Sequence, residues 1–229
     1  MQWRLTALLH LLKRNSLSLD VPLHVLDIGC GHGILTAQME DASSWTIDGA
    51  DLNMTALEKG PASRGTKFFY NIDDYHVDLI DRYDAVLLFD VLEHIARPTE
   101  FLHSALRHVR PGGHLLINVP AMQPLFSAYD RAAGHLRRYD RRSLTAEFSG
   151  LHGVLLDTAY WGMTLLPVLA IRKALLSKTT TNSEILQKGF QVTNPIINRC
   201  FLLLMRLETA LLRRPPLGAS LLALFRKES

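Results

Sequence analysis

The sequence predicts an α/β protein in which an open, mostly parallel sheet carries helices on both faces. Residues 85–89 form an uninterrupted apolar run and residues 23–28 form a short, mostly apolar one, as expected for parallel strands buried on both sides. Segments with helical character alternate with such runs from residue 23 to residue 120. With 229 residues, of which 48% are hydrophobic and 21% charged, the chain is large enough for one well-filled core.

A glycine-rich loop follows the first predicted strand. Asp27, Gly29, Gly31 and Gly33 stand at every second position, and a helix is predicted to begin at Ile34. Glycines let the backbone approach a ligand closely, and the helix presents its free N–H groups to it. The dinucleotide fingerprint G-x-G-x-x-G would require glycine where Ile34 stands, which disfavours a nicotinamide-dependent oxidoreductase.

Composition excludes several classes of protein. A formal net charge of +3 and a pI near 8.9 are only mildly basic and do not indicate nucleic acid binding. Cys30 and Cys200 lie too far apart for a metal or redox motif, so we expect no metal site and a reducing, cytoplasmic compartment. The leucines of residues 1–18 recur at helical spacing, which predicts an amphipathic leading helix rather than a signal peptide. The uncharged, mostly apolar run of residues 158–171 is shorter than the roughly 18 residues that span a bilayer.

The second predicted strand, residues 45–53, ends in an acid. Asp51 stands about 20 residues beyond the glycine loop, where a carboxylate at a strand end can accept hydrogen bonds from ribose hydroxyls. An alternative is that Asp51 caps the helix predicted to begin at Met54. A third strand is predicted over residues 65–72 and is followed by two further acids.

The fourth strand leads into the most distinctive polar segment. Residues 83–89 are followed by Asp90-Val-Leu-Glu93-His94. Pro98 then predicts the first turn of a helix, residues 110–113 predict a turn, and residues 114–120 predict a fifth strand.

These signatures resemble the class I S-adenosylmethionine (SAM) methyltransferases. The Asp-x-Gly-x-Gly-x-Gly loop resembles their motif I, and the segment from Asp90 to His94 resembles motif IV of the ubiquinone-type and natural-product O-methyltransferases. Val109-Arg-Pro-Gly-Gly-His also resembles the family, and the likeness covers residues 23–120. It implies a Rossmann-like, doubly wound sheet of about seven strands whose last strand is antiparallel.

The resemblance implies SAM as cofactor and assigns the residues around it. Asp51 would bind the ribose, Asp73 or Asp74 would meet the adenine amino group, and Asp90 would lie beside the sulfonium. Either Asp73 or Asp74 could equally be part of a plain acidic loop. The cofactor-binding residues expected on this basis are Asp27, Gly29, Cys30, Gly31, Gly33, Asp51, Leu52, Asp73, Asp74, Phe89 and Asp90.

A basic connection follows the fifth strand. Residues 130–142 contain five arginines and a histidine, and their Gly-His-x-Arg-Arg-Tyr run resembles a subset of these methyltransferases. A histidine can deprotonate a phenol, whereas an arginine fork suits a carboxylate or phosphate. The expected catalytic residues are therefore His135, His94, Tyr139 and Arg138. For His94 the alternative is bonding to neighbouring backbone, and Arg131, Arg141 and Arg142 are expected to be solvated.

A single domain with an apolar insertion is predicted. The sixth strand covers residues 153–160, the candidate for the seventh is 219–225, and residues 161–216 lie between them. This insertion contains apolar helical stretches at 163–176 and 195–212, and arginines recur every seven residues at Arg199, Arg206 and Arg213. Four alternatives stay open: a lid, a homodimer interface, a membrane-surface helix, or a pair of helices packed on the sheet.

The chain is thus predicted to transfer a methyl group from SAM to a small molecule. We expect O-methylation of a phenol, hydroxyl or carboxylate on an amphiphilic or aromatic acceptor of the natural-product or lipid type. Nitrogen or carbon acceptors, and a SAM-fold binding or scaffold protein without catalysis, are the alternatives. No nucleic acid partner is expected, because the sequence shows no basic-aromatic platform.

Overall fold

The computed structural model describes residues 2–176 and 214–229, and between them only 185, 199, 203–204, 207–208 and 210–212. Seven strands form one sheet in the order β3-β2-β1-β4-β5-β7-β6. The strands are β1 (His24–Ile28), β2 (Thr46–Asp51), β3 (Lys67–Phe69), β4 (Tyr83–Phe89), β5 (Val109–Pro120), β6 (Gly153–Trp161) and β7 (Ser220–Lys227).

Helices connect the strands and cover both faces of the sheet. The α-helices are α1 (Gln2–Arg14), α2 (Ile34–Asp41), α3 (Met54–Lys59), α4 (Pro98–His108), α5 (Ala128–Ala132), α6 (Arg141–Glu147) and α7 (Leu166–Leu176). Single 3₁₀ turns lie at Val77–Leu79, Leu92–His94, Gln123–Leu125 and Met163–Leu165. Helix α4 begins at Pro98, as the sequence predicts.

The strand pairing confirms the predicted fold class. Strands β1 to β5 pair in parallel, whereas β7 lies antiparallel between β5 and β6. The chain order reverses between β1 and β4, which are neighbours in the sheet. Such a switch point opens a crevice at the carboxyl ends of the two strands, where ligands bind in sheets of this type.

Alternating residues of the central strands fill two core clusters, one on each face of the sheet. Leu26 of β1 contributes to one cluster, while Val25 of the same strand contributes to the other. The leading helix α1 closes the second cluster with Leu8, Leu11 and Leu12, which are fully buried. The leucine spacing of the N-terminal residues therefore reflects packing on the domain.

Three local details differ from the expectation. Strand β3 is shorter than residues 65–72, and residues 110–113 lie within β5 as an irregularity, because pairing passes directly from Tyr83–Val109 to Ala85–His114. The sequence predicts Ser143 as the cap of the helix that follows residue 142, but Asp140 is the N-cap of α6, and its carboxylate accepts the Ser143 N–H at 2.7 Å. Capping depends on the backbone geometry at the helix start, which the polar residues alone do not fix.

The insertion begins at Gly162 and ends where β7 begins. Helix α7 matches the first predicted apolar stretch, but most of the second stretch, 195–212, lies outside the described residues. Within it, residues 203–204, 207–208 and 210–211 are helical. No helix among the described residues is long and apolar enough to cross a membrane.

Candidate functional site

The glycine loop joins β1 to α2 in a conformation that favours glycine. Gly29, Gly31 and Gly33 have φ angles of 75°, 55° and 70°. A Cβ on Gly29 would lie 2.5 Å from a methyl group of Val91, whereas a Cβ on Gly31 would meet nothing within 4 Å. The loop is therefore packed against the β4 end at its first glycine and open at its second, which is the arrangement that a ligand lying over the loop requires.

Asp27 braces this loop from inside the protein. Its side chain is buried and accepts a hydrogen bond from the Thr36 hydroxyl of α2 at 2.7 Å. Burial raises the pKa of the Asp27 carboxyl to about 7, and the Thr36 hydrogen bond opposes this shift. Among the predicted cofactor residues, Asp27 thus ties the loop to the following helix.

Asp51 lies at the carboxyl end of β2 and reaches back to the loop. One carboxylate oxygen accepts the Gly31 N–H at 2.7 Å, and the other accepts the Asn53 N–H at 2.8 Å. The capping role that the sequence left open for Asp51 belongs to Asn53, whose side chain accepts the Ala56 N–H at the start of α3. Asp51 is partly exposed, so its carboxylate lies beside the loop at the cleft surface.

The remaining predicted cofactor residues surround the same edge of the sheet. Leu52 is exposed directly after β2, and Asp73 and Asp74 are exposed in the turn after β3. Cys30 is half-buried within the glycine loop, and its thiol is free. Phe89 is buried at the end of β4, beneath the position of Asp90.

Asp90 occupies a left-handed backbone conformation, with φ 58°. Asn118 of β5 donates to one of its carboxylate oxygens at 2.7 Å, and Arg4 of α1 forms an ion pair with the other. Sequence reasoning missed Arg4. Nothing in the leading helix distinguishes this arginine from Lys13 or Arg14, because only the docking of α1 brings it to the cleft.

A cluster of one acid and two histidines follows Asp90. Glu93 lies in the Leu92–His94 turn, only 1% exposed, and its Oε1 is 4.0 Å from Nε2 of His135. The rings of His94 and His135 meet edge to face with centroids 4.8 Å apart. His94 Nδ1 also lies 3.1 Å from the Gly134 carbonyl. His94 therefore contacts neighbouring backbone, which was the alternative to a catalytic role, and also lies beside His135 at the cleft.

Burial makes this cluster electrostatically unusual. It raises the pKa of the Glu93 carboxyl to about 8, with the negative charge of Asp90 adding to the effect. Glu93 Oε2 has no hydrogen-bond partner among the described residues. Burial also lowers the pKa of His94, and the neighbouring His135 lowers it further. The site thus holds neutral groups that can exchange protons near physiological pH.

Asp130 orients His135. This buried carboxylate lies 3.2 Å from His135 Nδ1 and accepts from the Arg138 guanidinium at 2.7 and 2.8 Å. Burial alone would raise the pKa of Asp130, but the hydrogen bonds from His135 and Arg138 hold it below its ordinary value. An ionised Asp130 places the hydrogen of His135 on Nδ1 and leaves Nε2 as the acceptor that faces Glu93.

Arg138 and Tyr139 are buried rather than directed into the cleft. Arg138 also donates a hydrogen bond from its guanidinium to the Ala121 carbonyl at 3.1 Å. The Tyr139 hydroxyl lies 3.4 Å from the Leu92 carbonyl. Burial raises the pKa of Tyr139 above its ordinary value. Of the four expected catalytic residues, the structure brings His94 and His135 together at the cleft and places Arg138 and Tyr139 behind them.

The same cluster could hold a cation. The ligand atoms of Glu93, His94 and His135 all lie within 4.8 Å of one another. Carboxylate and imidazole groups are ordinary ligands of divalent ions, and Asp130 contacts the Nδ1 of His135, where a carboxylate fixes the orientation of a metal-binding imidazole. The sequence shows no metal-ligand spacing here, because His135 comes from a different connection than Glu93 and His94.

Comparisons with known proteins agree on the class of protein. A family model described as a methyltransferase domain matches residues 2–151. A ubiquinone biosynthesis O-methyltransferase from Vibrio parahaemolyticus is 34% identical over 100 residues, which are 41% of this chain and 42% of that relative. The mitochondrial ubiquinone biosynthesis O-methyltransferase of Candida albicans is 32% identical over 116 residues, 47% of this chain and 35% of the relative. The matches thus span less than half of these relatives.

Solved structures share the fold. A phosphoethanolamine N-methyltransferase from Haemonchus contortus in complex with SAM aligns with a TM-score of 0.62 at 14% identity, covering 97% of this chain and 52% of that one. An S-adenosylmethionine-dependent methyltransferase from Mesorhizobium loti aligns with a TM-score of 0.57 at 15% identity, covering 93% and 95%.

Proposed function

Because this chain belongs to the methyltransferase-domain family and is a SAM-dependent methyltransferase, we propose that it methylates a hydroxyl oxygen on an amphiphilic or aromatic small molecule. The single observation that carries the proposal is His135, an imidazole held by the buried Asp130 with its second nitrogen at the cleft. The position of this histidine, after β5 and beside the β4 end, is where an acceptor meets a ligand bound over the glycine loop.

The cofactor would lie from the β2 end to the β4 end. We assign the ribose to Asp51 and the adenine to the edge formed by Leu52 with Asp73 or Asp74. The methionine part then reaches Asp90, where Arg4 can bind its carboxylate and Asp90 its amino group. The preformed hydrogen bonds of Asp51 and Asn118 support this assignment, because they hold the carboxylates of Asp51 and Asp90 in place.

His135 would act on the acceptor as a general base. His135 Nε2 would take the proton of the acceptor O–H, and bound SAM would supply the methyl group from its sulfonium and be left as S-adenosylhomocysteine. Orientation of the two reactants can contribute about 7–11 kcal/mol. A phenol with a pKa near 10 still needs a base at neutral pH, which makes the imidazole necessary.

The charges at the cleft favour a hydroxyl over a carboxylate acceptor. A carboxylate would need a cationic clamp, yet the Arg138 guanidinium is occupied by Asp130 and Ala121. Arg137 donates to the Ala96 carbonyl at 3.1 Å, and Arg141 lies over the Tyr160 ring at 4.9 Å. The groups nearest the acceptor side are instead Glu93, His94 and His135.

The names of the relatives support oxygen as the acceptor atom, although the match covers less than half of their length. Nitrogen is the second candidate. The acidic side chains of Asp90 and Glu93 would also suit an amine, and one protein of the same fold is an N-methyltransferase by name. A scaffold protein without catalysis is disfavoured, since the glycine loop and the His135–Asp130 pair are both intact.

The test is methyl transfer from radiolabelled SAM to four matched acceptors. They share one alkyl tail and carry a phenol, an aliphatic alcohol, a carboxylate or an amine as head group. We expect transfer to the phenol and the weakest transfer to the carboxylate. Preference for the amine would establish the nitrogen alternative, and calorimetric SAM binding without transfer to any acceptor would support the scaffold alternative. Absence of SAM binding would contradict the proposed cofactor site.

A further inference from the structure

We propose that Trp161 is a positioning residue for cofactor binding, which acts through Asn118 on the carboxylate of Asp90. Trp161 is the last residue of β6 and lies 43 residues from Asn118 in the sequence. Its indole Nε1–H donates to the Asn118 side-chain oxygen at 2.9 Å, and the Asn118 amide nitrogen donates to Asp90 at 2.7 Å. Because Asp90 meets the cofactor only under the proposed function, the role of Trp161 rests on that function.

The indole determines which way the Asn118 side chain points. Asn118 is fully buried, and its amide could place either its oxygen or its nitrogen toward Asp90. An indole N–H can only donate a hydrogen bond, so it requires the amide oxygen on its own side. The NH₂ group is then directed at the carboxylate of Asp90. In the opposite orientation two oxygens would face each other at Asp90, and the indole N–H would lose its acceptor.

Asn118 fixes the backbone of Asp90 as well as its side chain. The Asn118 carbonyl accepts the Asp90 N–H at 2.9 Å, so one backbone and one side-chain hydrogen bond join the two residues. The φ angle of Asp90, 58°, is uncommon for a residue other than glycine and needs such support. Asn118 contacts Oδ1 of Asp90, and Arg4 contacts Oδ2. The carboxylate therefore presents a fixed oxygen to the positive charges of the cleft.

The surroundings of Trp161 hold it in place. Its backbone pairs with Ser220 of β7, and a Cβ on Gly218 would lie only 2.4 Å from the Trp161 carbonyl oxygen. The Trp161 side chain packs against the core cluster that contains Phe89. Since β7 lies between β5 and β6, the long indole reaches across β7 to meet Asn118. Trp161 thus has a fixed position from which it can orient the Asn118 amide.

The experiment is calorimetric SAM binding to the whole chain and its variants. Trp161→Phe keeps an aromatic ring but removes the N–H, and it should weaken SAM binding by about three- to tenfold, the effect of losing one neutral hydrogen bond. Trp45→Phe is the matched control, because Trp45 is buried and its Nε1–H donates to the Ser18 carbonyl at 3.3 Å, away from the cofactor site. The control should keep its SAM affinity within about twofold.

A thermodynamic cycle tests whether Trp161 acts through Asn118. In an Asn118→Ala background, Trp161→Phe should change SAM affinity by less than about twofold, because the link to Asp90 is already broken. Circular dichroism and chemical denaturation verify that each variant is folded. Losses that multiply in the double variant would overturn the proposal, and so would equal losses in Trp161→Phe and Trp45→Phe.

A spectroscopic measurement replaces the cycle if Asn118→Ala does not fold. The chain has three tryptophans, so isotope labelling of the indole nitrogens gives three signals, and Trp161→Phe identifies the one that belongs to Trp161. Asp90→Asn should shift the Trp161 signal, because the charge at the end of the hydrogen-bond chain is lost, and should leave the Trp45 signal in place. An unmoved Trp161 signal would overturn the proposal.

Asp90→Asn also separates this role from the proposed function. It should weaken SAM binding by about tenfold or more, because a charged partner of the cofactor is removed. Unchanged SAM affinity in Asp90→Asn would contradict the cofactor site itself, and the role of Trp161 with it. Weakened binding there, with unchanged binding in Trp161→Phe, would overturn the role of Trp161 alone. These binding measurements require no acceptor, so the identity of the methylated atom does not affect them.

Discussion

The cofactor loop and the acceptor cluster are built in different ways. The loop draws on residues 27–53, in which Asp51 and Thr36 meet groups that are 20 and 9 residues away in the sequence. The acceptor cluster joins Glu93 and His94 to Asp130 and His135 from the next connection, with Arg4 from the first helix nearby. The loop depends on backbone conformation, whereas the cluster depends on buried charges.

This difference determines how each region should respond to mutation. A carboxylate of the loop that contacts backbone N–H groups can be removed at moderate cost, because neighbouring residues and water still surround it. A buried ion pair cannot lose one partner without leaving the other charge uncompensated. Substitutions that break the cluster should therefore cost more than substitutions that change the loop.

His135→Ala should lower kcat by about 10²–10⁴-fold, because a positioned general base contributes that much. SAM affinity should be unchanged, since the cofactor region does not include this histidine. Steady-state kinetics over pH 6–9, with calorimetry for SAM, is the measurement. His103→Ala, which removes an exposed histidine of α4, serves as the control. A loss of kcat below about threefold would rule out the role of His135 as a base.

Arg138→Met should lower the free energy of unfolding by about 3–5 kcal/mol, because Asp130 stays buried without its partner. Chemical denaturation at pH 7 measures the change. Arg142→Met, at an exposed position in the same connection, should change stability by less than about 0.5 kcal/mol. Equal stability of the two variants would mean that Arg138 is available to the substrate, as the sequence first indicated.

Asp51→Ala should weaken SAM binding by roughly 1.5–3 kcal/mol, the value of a charge-assisted hydrogen bond. Calorimetry measures it, and Asp41→Ala at the exposed end of α2 is the control. The kcat at saturating SAM should change much less than the affinity. Unchanged affinity would contradict the ribose assignment.

Glu93→Gln should raise the free energy of unfolding by on the order of 4 kcal/mol more at pH 8.5 than at pH 5. The unfolded carboxyl ionises near pH 4.3 and the folded one at about 8, so the native state binds more protons and loses stability as pH rises between these values. Glutamine cannot ionise and removes that loss. Denaturation in the presence of a metal chelator measures it. If the free energies of unfolding of Glu93→Gln and of the unaltered protein differ by the same amount at every pH, the raised pKa of Glu93 is contradicted.

The sheet and the cofactor loop could be predicted from the sequence because their signals are local. Apolar runs such as 85–89 indicate buried strands directly, and the spacing of Gly29, Gly31 and Gly33 reflects backbone angles within one turn. Pro98 likewise marked the start of α4, and the leucine spacing marked the buried face of α1. Only details of register and capping, such as the irregularity at 110–113 and the cap at Asp140, needed the structure.

The sequence by itself determined the fold class, the family and the residues that follow each strand. It could not determine which side chains of two connections would meet, because loop residues such as Glu93 and His135 approach one another only after the sheet has placed both connections at one edge. The tertiary structure therefore decided that Arg138 pairs with Asp130, that Arg4 reaches Asp90, and that two histidines share a site with a buried acid. The physical reason is that a buried charge must find its partner wherever packing provides one.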